Sequence, residues 1–166
     1  MLVKIWDLEA DKFREEYIPA IDIPVRSISI SPDLAFIAVG SHKGKLFLYN
    51  YTDNKSLELS KEIQAHDEYL LKCIVSPDCK TIATTSADKT IKLWSTESWE
   101  VVKTLTKHQR WVWDCVFSAD SQYLISASSD QSAKLWDLQT QDVIRNYVGH
   151  SLAVTCVALN DSVTLQ

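Results

Sequence analysis

Short runs of apolar and β-branched residues alternate with polar turn clusters along nearly the whole chain. Leu70–Val75, Thr81–Ser86 and Ile91–Trp94 are such runs, and Ser76-Pro77-Asp78-Cys79 and Ala87-Asp88-Lys89 separate them. The texture is that of short strands joined by tight turns. The same plan follows at once: Trp111–Phe117, a turn at 118–121, Gln122–Ser128, a turn at Asp130, then Ala133–Asp137. A fourth strand is expected after each Trp, over Glu100–Leu105 and Val143–Tyr147.

The repetition has a fixed period. His66, His108 and His150 are 42 residues apart, as are Ser86 and Ser128, Asp88 and Asp130, and Trp94 and Trp136. Four strands per repeat of this length is the signature of a propeller blade. A degenerate copy covers Val25–Ser31, Phe36–Ser41 and Leu46–Asn50, with Tyr49 in place of the Trp, Lys43 in place of the turn Asp and Ile21 in place of the His. Val3–Leu8, carrying Trp6-Asp7, reads as the end of a further blade, and Ala153–Leu159 as a lone first strand. The expected fold is therefore all-β, a partial β-propeller in one domain over residues 1–166. It divides into the end of a blade (1–20), a degenerate blade (21–64), two regular blades (65–106 and 107–148) and the first strand of a closing blade (149–166).

Composition narrows the function. The net charge of −5 lacks the basic excess that phosphate contacts demand, so no nucleic-acid partner is expected. The longest uncharged run, 146–160, is too short to span a bilayer, and the N-terminus has no basic region followed by an apolar stretch. No membrane insertion is expected. Cys73, Cys79, Cys115 and Cys156 form no CxxC pair, so no metal and no cofactor is expected; Cys73, Cys115 and Cys156 lie in apolar stretches, where a thiol behaves as a small hydrophobe. That usage fits a reducing, intracellular setting.

One constellation imitates chemistry. Ser86, His66 and Asp88 are the residue types of a hydrolytic triad. The same set recurs as Ser128, His108 and Asp130, each with a Trp at a fixed offset (Trp94, Trp136). Enzymes rarely need two adjacent copies, so the sets read as structural hydrogen-bond networks and no enzymatic activity is expected. His42, in a turn of the degenerate copy, reads as a solvated loop residue.

Binding residues concentrate on loops. Aligned first strands place Pro24, Tyr69 and Trp111 at one position and Arg26, Leu71, Trp113 and Thr155 at the next, and these read as surface. Ile28, Cys73 and Cys115, then Ile30, Val75 and Phe117, read as core. Tyr69, Trp111, Trp113, Arg26 and Arg110 are the candidate partner-binding residues, with Asp67, Glu68 and Gln109 completing a polar rim. Trp99 suits either a blade edge or a binding surface.

Ile91-Lys92-Leu93-Trp94, Leu135-Trp136-Asp137-Leu138, Gly149-His150, and the stretches 86–90 and 128–132 resemble WD-repeat motifs. Within that group, 110–118, 120–124 and 126–130, the ending Arg145 to Val163, 25–33, and Tyr69–Cys73 before Ser76-Pro77-Asp78 carry a narrower likeness. They resemble the C-terminal half of the "lethal with Sec thirteen" family (G-protein β-subunit-like proteins), WD-repeat subunits of the target-of-rapamycin (TOR) kinase complexes. The resemblance implies a seven-bladed ring and a non-catalytic scaffold in TOR complexes one and two, supporting growth and actin organisation. It implies as partners the C-terminal lobe of the TOR kinase domain and other complex subunits, and a cytoplasmic location or a peripheral one on endomembranes. It also implies that the first half lies outside this chain, so that Met1 is an internal start or the chain a truncated product. A WD scaffold in another assembly is the alternative. A cullin-ligase receptor is disfavoured, because Glu9 and Gln139 stand where its Trp-Asp-x-Arg box needs Arg.

Overall fold

The computed structural model describes residues 3–7, 12–17, 24–51 and 57–161, with residues 3–7, 12–17 and Tyr51 described by backbone alone. Ile21, Leu8 and residues 162–166, which entered the reading above, lie outside the described residues. Strands β1 (Val3–Asp7) and β2 (Lys12–Tyr17) form a two-stranded antiparallel sheet. Three four-stranded antiparallel sheets follow, each in simple up-and-down order. They are β3 (Val25–Ile30), β4 (Phe36–Ser41), β5 (Lys45–Tyr51) and β6 (Leu57–Gln64); β7 (Leu70–Val75), β8 (Thr81–Ser86), β9 (Ile91–Ser95) and β10 (Val101–Leu105); and β11 (Val112–Phe117), β12 (Tyr123–Ser128), β13 (Ala133–Asp137) and β14 (Val143–Tyr147). This is a partial β-propeller, with three complete four-stranded blades among the described residues.

The turn chemistry explains the hairpins. Asp33, Asp78 and Asp120 each accept the backbone N–H two residues on, at 3.0, 3.1 and 3.0 Å. The next residue in each turn, Leu34, Cys79 or Ser121, takes a left-handed φ of about 60°. An Asx turn of this kind reverses the chain without needing glycine.

Side chains between blades make the core. Phe36, Ala38, Leu46 and Leu48 of the first blade pack against Leu70, Cys73, Val75, Ile82 and Trp94 of the second. Ala83, Ile91 and Leu93 of the second pack against Val112, Cys115, Phe117, Leu124 and Trp136. Each such aliphatic side chain stabilises the fold by about 1.5–3 kcal/mol through burial. Trp99 sits in the β9–β10 turn and meets Phe36 edge-on at 5.5 Å, so it covers a blade edge. Hydrogen bonds stitch the same seam: Ser27 Oγ accepts from the Cys73 N–H and Ser29 Oγ from the Val75 N–H, both at 3.0 Å.

Three expectations need correction. Ile28 and Ile30 are about half exposed, although Cys73, Cys115, Val75 and Phe117 at the equivalent positions are buried. The buried four face the sheet before their own; among the described residues, nothing covers Ile28 and Ile30 in that way. Leu71 is 7% exposed and belongs to the core, not the surface. Residues 153–159 form no strand, and Cys156 is exposed rather than packed. A strand is a ladder, and among the described residues no ladder partner lies beside this segment. It is nonetheless held against the third blade. The Val157 N–H donates to Asp114 Oδ2 at 3.1 Å, repeating the Cys73–Ser27 stitch, and the Val154 N–H donates to the Ser128 carbonyl at 3.0 Å.

Candidate functional site: an aromatic row above two buried hydrogen-bond chains

The two regular blades contain the same buried chain of polar groups. In the third blade, His108 Nδ1 is 2.7 Å from Asp130 Oδ2, His108 Nε2 is 2.7 Å from Ser126 Oγ, and the Trp136 indole N–H donates to Ser126 Oγ at 2.8 Å. The ionised carboxylate fixes the tautomer: Nδ1–H donates to Asp130, so Nε2 accepts from the Ser126 hydroxyl. In the second blade His66, Asp88, Thr84 and Trp94 repeat it at 2.7, 2.8 and 2.9 Å.

The hydroxyl in this chain differs from the one expected. Thr84 and Ser126 occupy it, not Ser86 and Ser128. All four side chains lie on one side of their strand, since orientation alternates with period two. Ser86 and Ser128, however, lie two residues, roughly 6.6 Å, further towards the turn. That is beyond the indole N–H, because Trp94 and Trp136 pair with Ile82 and Leu124 at the other end of the strand. Ser86 and Ser128 instead accept the N–H of Asp88 and Asp130, at 3.0 and 3.1 Å, and shape the turns. The hydroxyl–imidazole–carboxylate order does imitate a triad. But Ser126 and Thr84 are fully buried and already accept an indole N–H, so their oxygens have no approach to a carbonyl substrate.

Asp130 is held electrostatically. Burial pushes its carboxyl up, but hydrogen bonds from Ser132, His108 and the Gln109 N–H outweigh that and hold it at about 2. Asp88 likewise lies well below the usual carboxylate range: burial raises it, and bonds from His66 and Thr90 overcome the rise. Burial lowers His108, against the opposing pull of Asp130.

Above these chains lies a row of rings. His42 stacks on Tyr69 with centroids 4.0 Å apart and planes 16° apart. Tyr69 meets Trp111 edge-on at 6.0 Å, and Trp111 meets Trp113 at 5.4 Å. Tyr69 and Trp111 are 39% and 40% exposed, whereas Trp113 is half-buried. The row crosses all three blades. A β-bulge presents Trp113: the pairing of β11 with β12 skips it between Val112 and Asp114, and Arg26 and Leu71 occupy the matching skips in β3 and β7. A bulge re-aims a side chain, which is its common use beside binding sites. The Trp113 indole N–H is held by Ser129 Oγ at 2.6 Å.

The structure thus brings Tyr69, Trp111 and Trp113 together. Arg110 is exposed beside Trp111 and lines a cleft with it, while Arg26 is exposed on the first blade and is not among the residues lining that cleft. Asp67, Glu68 and Gln109 are exposed at the same loops. His42 is the residue the sequence reading missed. It belongs to the row instead of standing free in solvent, and the signal for it was its position in the turn equivalent to Ser129 beside Trp113.

Comparison with known proteins agrees with this geometry. The family "WD domain, G-beta repeat" matches residues 21–50, 57–95 and 99–137. The "Target of rapamycin complex subunit wat1" of Schizosaccharomyces pombe is 44% identical over 98 residues, 57% of this chain and 31% of that protein. The "Protein LST8 homolog" of Drosophila melanogaster is 38% identical over 99 residues, 57% of the chain and 31% of the relative. The "Target of rapamycin complex subunit LST8" of Bos taurus is 37% identical over 101 residues, 58% and 31%. The chain matches about a third of the length of these relatives. With most of its length matched by the repeat and its blades formed as the repeat requires, and with LST8-type TOR-complex subunits among the proteins it is similar to, the chain belongs to the WD-repeat family.

Proposed function

We propose that this chain is part of a non-catalytic scaffold subunit of TOR complexes one and two. It docks the C-terminal lobe of the TOR kinase domain through the face carrying Tyr69, Trp111 and Trp113, with Arg26 and Arg110 at its margin. The observation that carries this reading is the ring row from His42 to Trp113, which lies across three blades on a chain whose relatives are named as TOR-complex subunits. Trp and Tyr anchors in a partly desolvated patch dominate binding energy at protein interfaces. The burial of Ser126 and Thr84 supports the absence of catalysis. In this reading the blades divide at 21–64, 65–106 and 107–148, the ring has seven blades, and the protein works in the cytoplasm or on endomembranes through its complex. It supports TOR signalling in growth and actin organisation.

The test is co-purification of TOR kinase with the tagged protein. A Trp111→Ala, Trp113→Ala double variant with an unchanged circular dichroism spectrum should lose the kinase. Retention of the kinase by the folded double variant would remove the site assignment. Retention of some other large assembly, with no kinase from either form, would favour a WD scaffold of different membership.

A further inference from the structure

Beside the two tryptophans lies a cleft of about 510 Å³, lined by Lys89, Gln109, Arg110, Trp111, Trp113 and Ser129. Its charge is opposite to that of the molecule. The chain carries a net −5, yet the cleft lining holds two cations and no acid. Lys89 and Arg110 are exposed, and neither forms an ion pair among the described residues. The acids of the turns that carry Lys89 and Ser129 are already committed, and Asp67 and Glu68, exposed in the loop before β7, are not among the cleft's lining residues. Asp88 bonds His66 and Thr90, and Asp130 bonds His108, the Gln109 N–H and Ser132. The indole N–H of Trp113 points to Ser129, so the rest of its ring offers the cleft hydrocarbon.

We propose that this cleft binds a short acidic segment of a protein partner, seating a carboxylate between Lys89 and Arg110 and an apolar side chain over Trp111 and Trp113. The inference rests on reading this face as partner-binding, and adds what chemistry the partner must bring. The volume accommodates a few side chains, not a folded surface. Two cations at one mouth match a single carboxylate; a nucleic acid would need a basic track along several phosphates, which two cations do not make.

The experiment uses the full chain and fluorescence anisotropy. The probe is a short fluorescein-labelled peptide alternating glutamate and leucine, and the control replaces each glutamate with glutamine. The acidic peptide should bind roughly tenfold or more tighter than its control, and added salt should weaken it. A Lys89→Glu, Arg110→Glu double variant should lose the acidic peptide and gain affinity for a lysine–leucine counterpart. Both side chains are exposed, so the variant should keep its circular dichroism spectrum. Equal binding of the two peptides, binding indifferent to the charge reversal, or preference for a poly-uridine oligonucleotide would each overturn the inference. Its failure is separable from that of the TOR reading. Kinase retained by the charge-reversed variant but lost by the tryptophan variant sinks the acidic site alone; acidic-peptide binding without kinase sinks the TOR assignment alone.

Discussion

Replacing Ser126 by alanine removes one oxygen atom and orphans two groups. The Trp136 indole N–H loses its acceptor at 2.8 Å, and His108 Nε2 loses its donor at 2.7 Å. Trp136 and Ser126 are fully buried and His108 nearly so. An unsatisfied buried polar group costs about 1–3 kcal/mol, and members of one network do not add independently, so Ser126→Ala should cost about 2–5 kcal/mol. Ser128→Ala removes a bond from the Asp130 N–H at 3.1 Å and one to the Arg110 carbonyl at 3.2 Å, both at the edge of a solvated turn. That should cost about 0.5–1.5 kcal/mol. Urea unfolding followed by far-ultraviolet circular dichroism, at unchanged m-value, measures the difference. Thermal midpoints should separate by about 2–4 °C per kcal/mol for a chain of this size. The second blade supplies a replicate: Thr84→Ala should be costly, Thr84→Ser mild and Ser86→Ala intermediate at most. If Ser128→Ala costs as much as Ser126→Ala, the chain of bonds does not run through Ser126 and the assignment fails.

Two further outcomes follow from geometry and charge. Gly44 has φ +76°, and a Cβ there would stand 2.1 Å from the His66 carbonyl oxygen and 2.5 Å from that of Glu68. Lys89 and Gln131 hold nearly the same left-handed φ with side chains, so the strain alone is tolerable, but at Gly44 the crowding adds to it: Gly44→Ala should lower stability by about 1–3 kcal/mol in the same urea assay, and Gln131→Gly should be near neutral. A neutral Gly44→Ala would show that the turn can retreat from the 66–68 loop. Acid should destabilise the fold in two stages. His108 is held below its ordinary 6.5, so the unfolded chain takes up the proton first and stability begins to fall as pH drops below that value. Asp130, at about 2 against an ordinary 3.8, contributes stability above the unfolded value that is lost as pH falls through about 4 towards 2. Asp130→Asn should flatten the second stage in a urea-midpoint titration; an unaltered acid limb would refute that contribution.

The fold was largely legible because a propeller repeats. Every strand of the two regular blades was expected within about two residues of where it lies, since His, Asp and Trp mark the same positions in each. Reading the hydroxyl failed for a physical reason. Period-two alternation assigns Thr84 and Ser86 to one face but cannot say which lies opposite the indole; that depends on pairing register, through Ile82 and Trp94. The row of rings was half legible. Trp111 and Trp113 stand two residues apart in the sequence, whereas His42 and Tyr69 meet only because the turn of one blade reaches the entry loop of the next. Ile28, Ile30 and the segment 153–159 failed differently. Their burial or pairing depends on neighbouring sheets, which a pattern within one strand does not contain.

The buried chains and the exposed rings are one construction. Asp130 Oδ2 holds both His108 and the Gln109 N–H, Ser128 Oγ holds the Arg110 carbonyl, and the Ser129 N–H and Oγ hold Trp111 and Trp113. The turn that anchors the network thus fixes residues 108–113 one by one, placing the cleft and its aromatic wall. The degenerate blade has Lys43 where the Asp would be, and its turn is secured by another device. The Gly44 carbonyl accepts the N–H groups of Ala65 and His66, a close approach that the absence of a side chain permits, and His42 stacks on Tyr69. Loss of the Asp need not loosen the face, because the stack replaces a hydrogen-bonded clamp with an aromatic one. It follows that, if this face binds as proposed, damage to the Asp130 network should weaken that binding through residues 108–113, without any change to Trp111, Trp113 or Arg110 themselves.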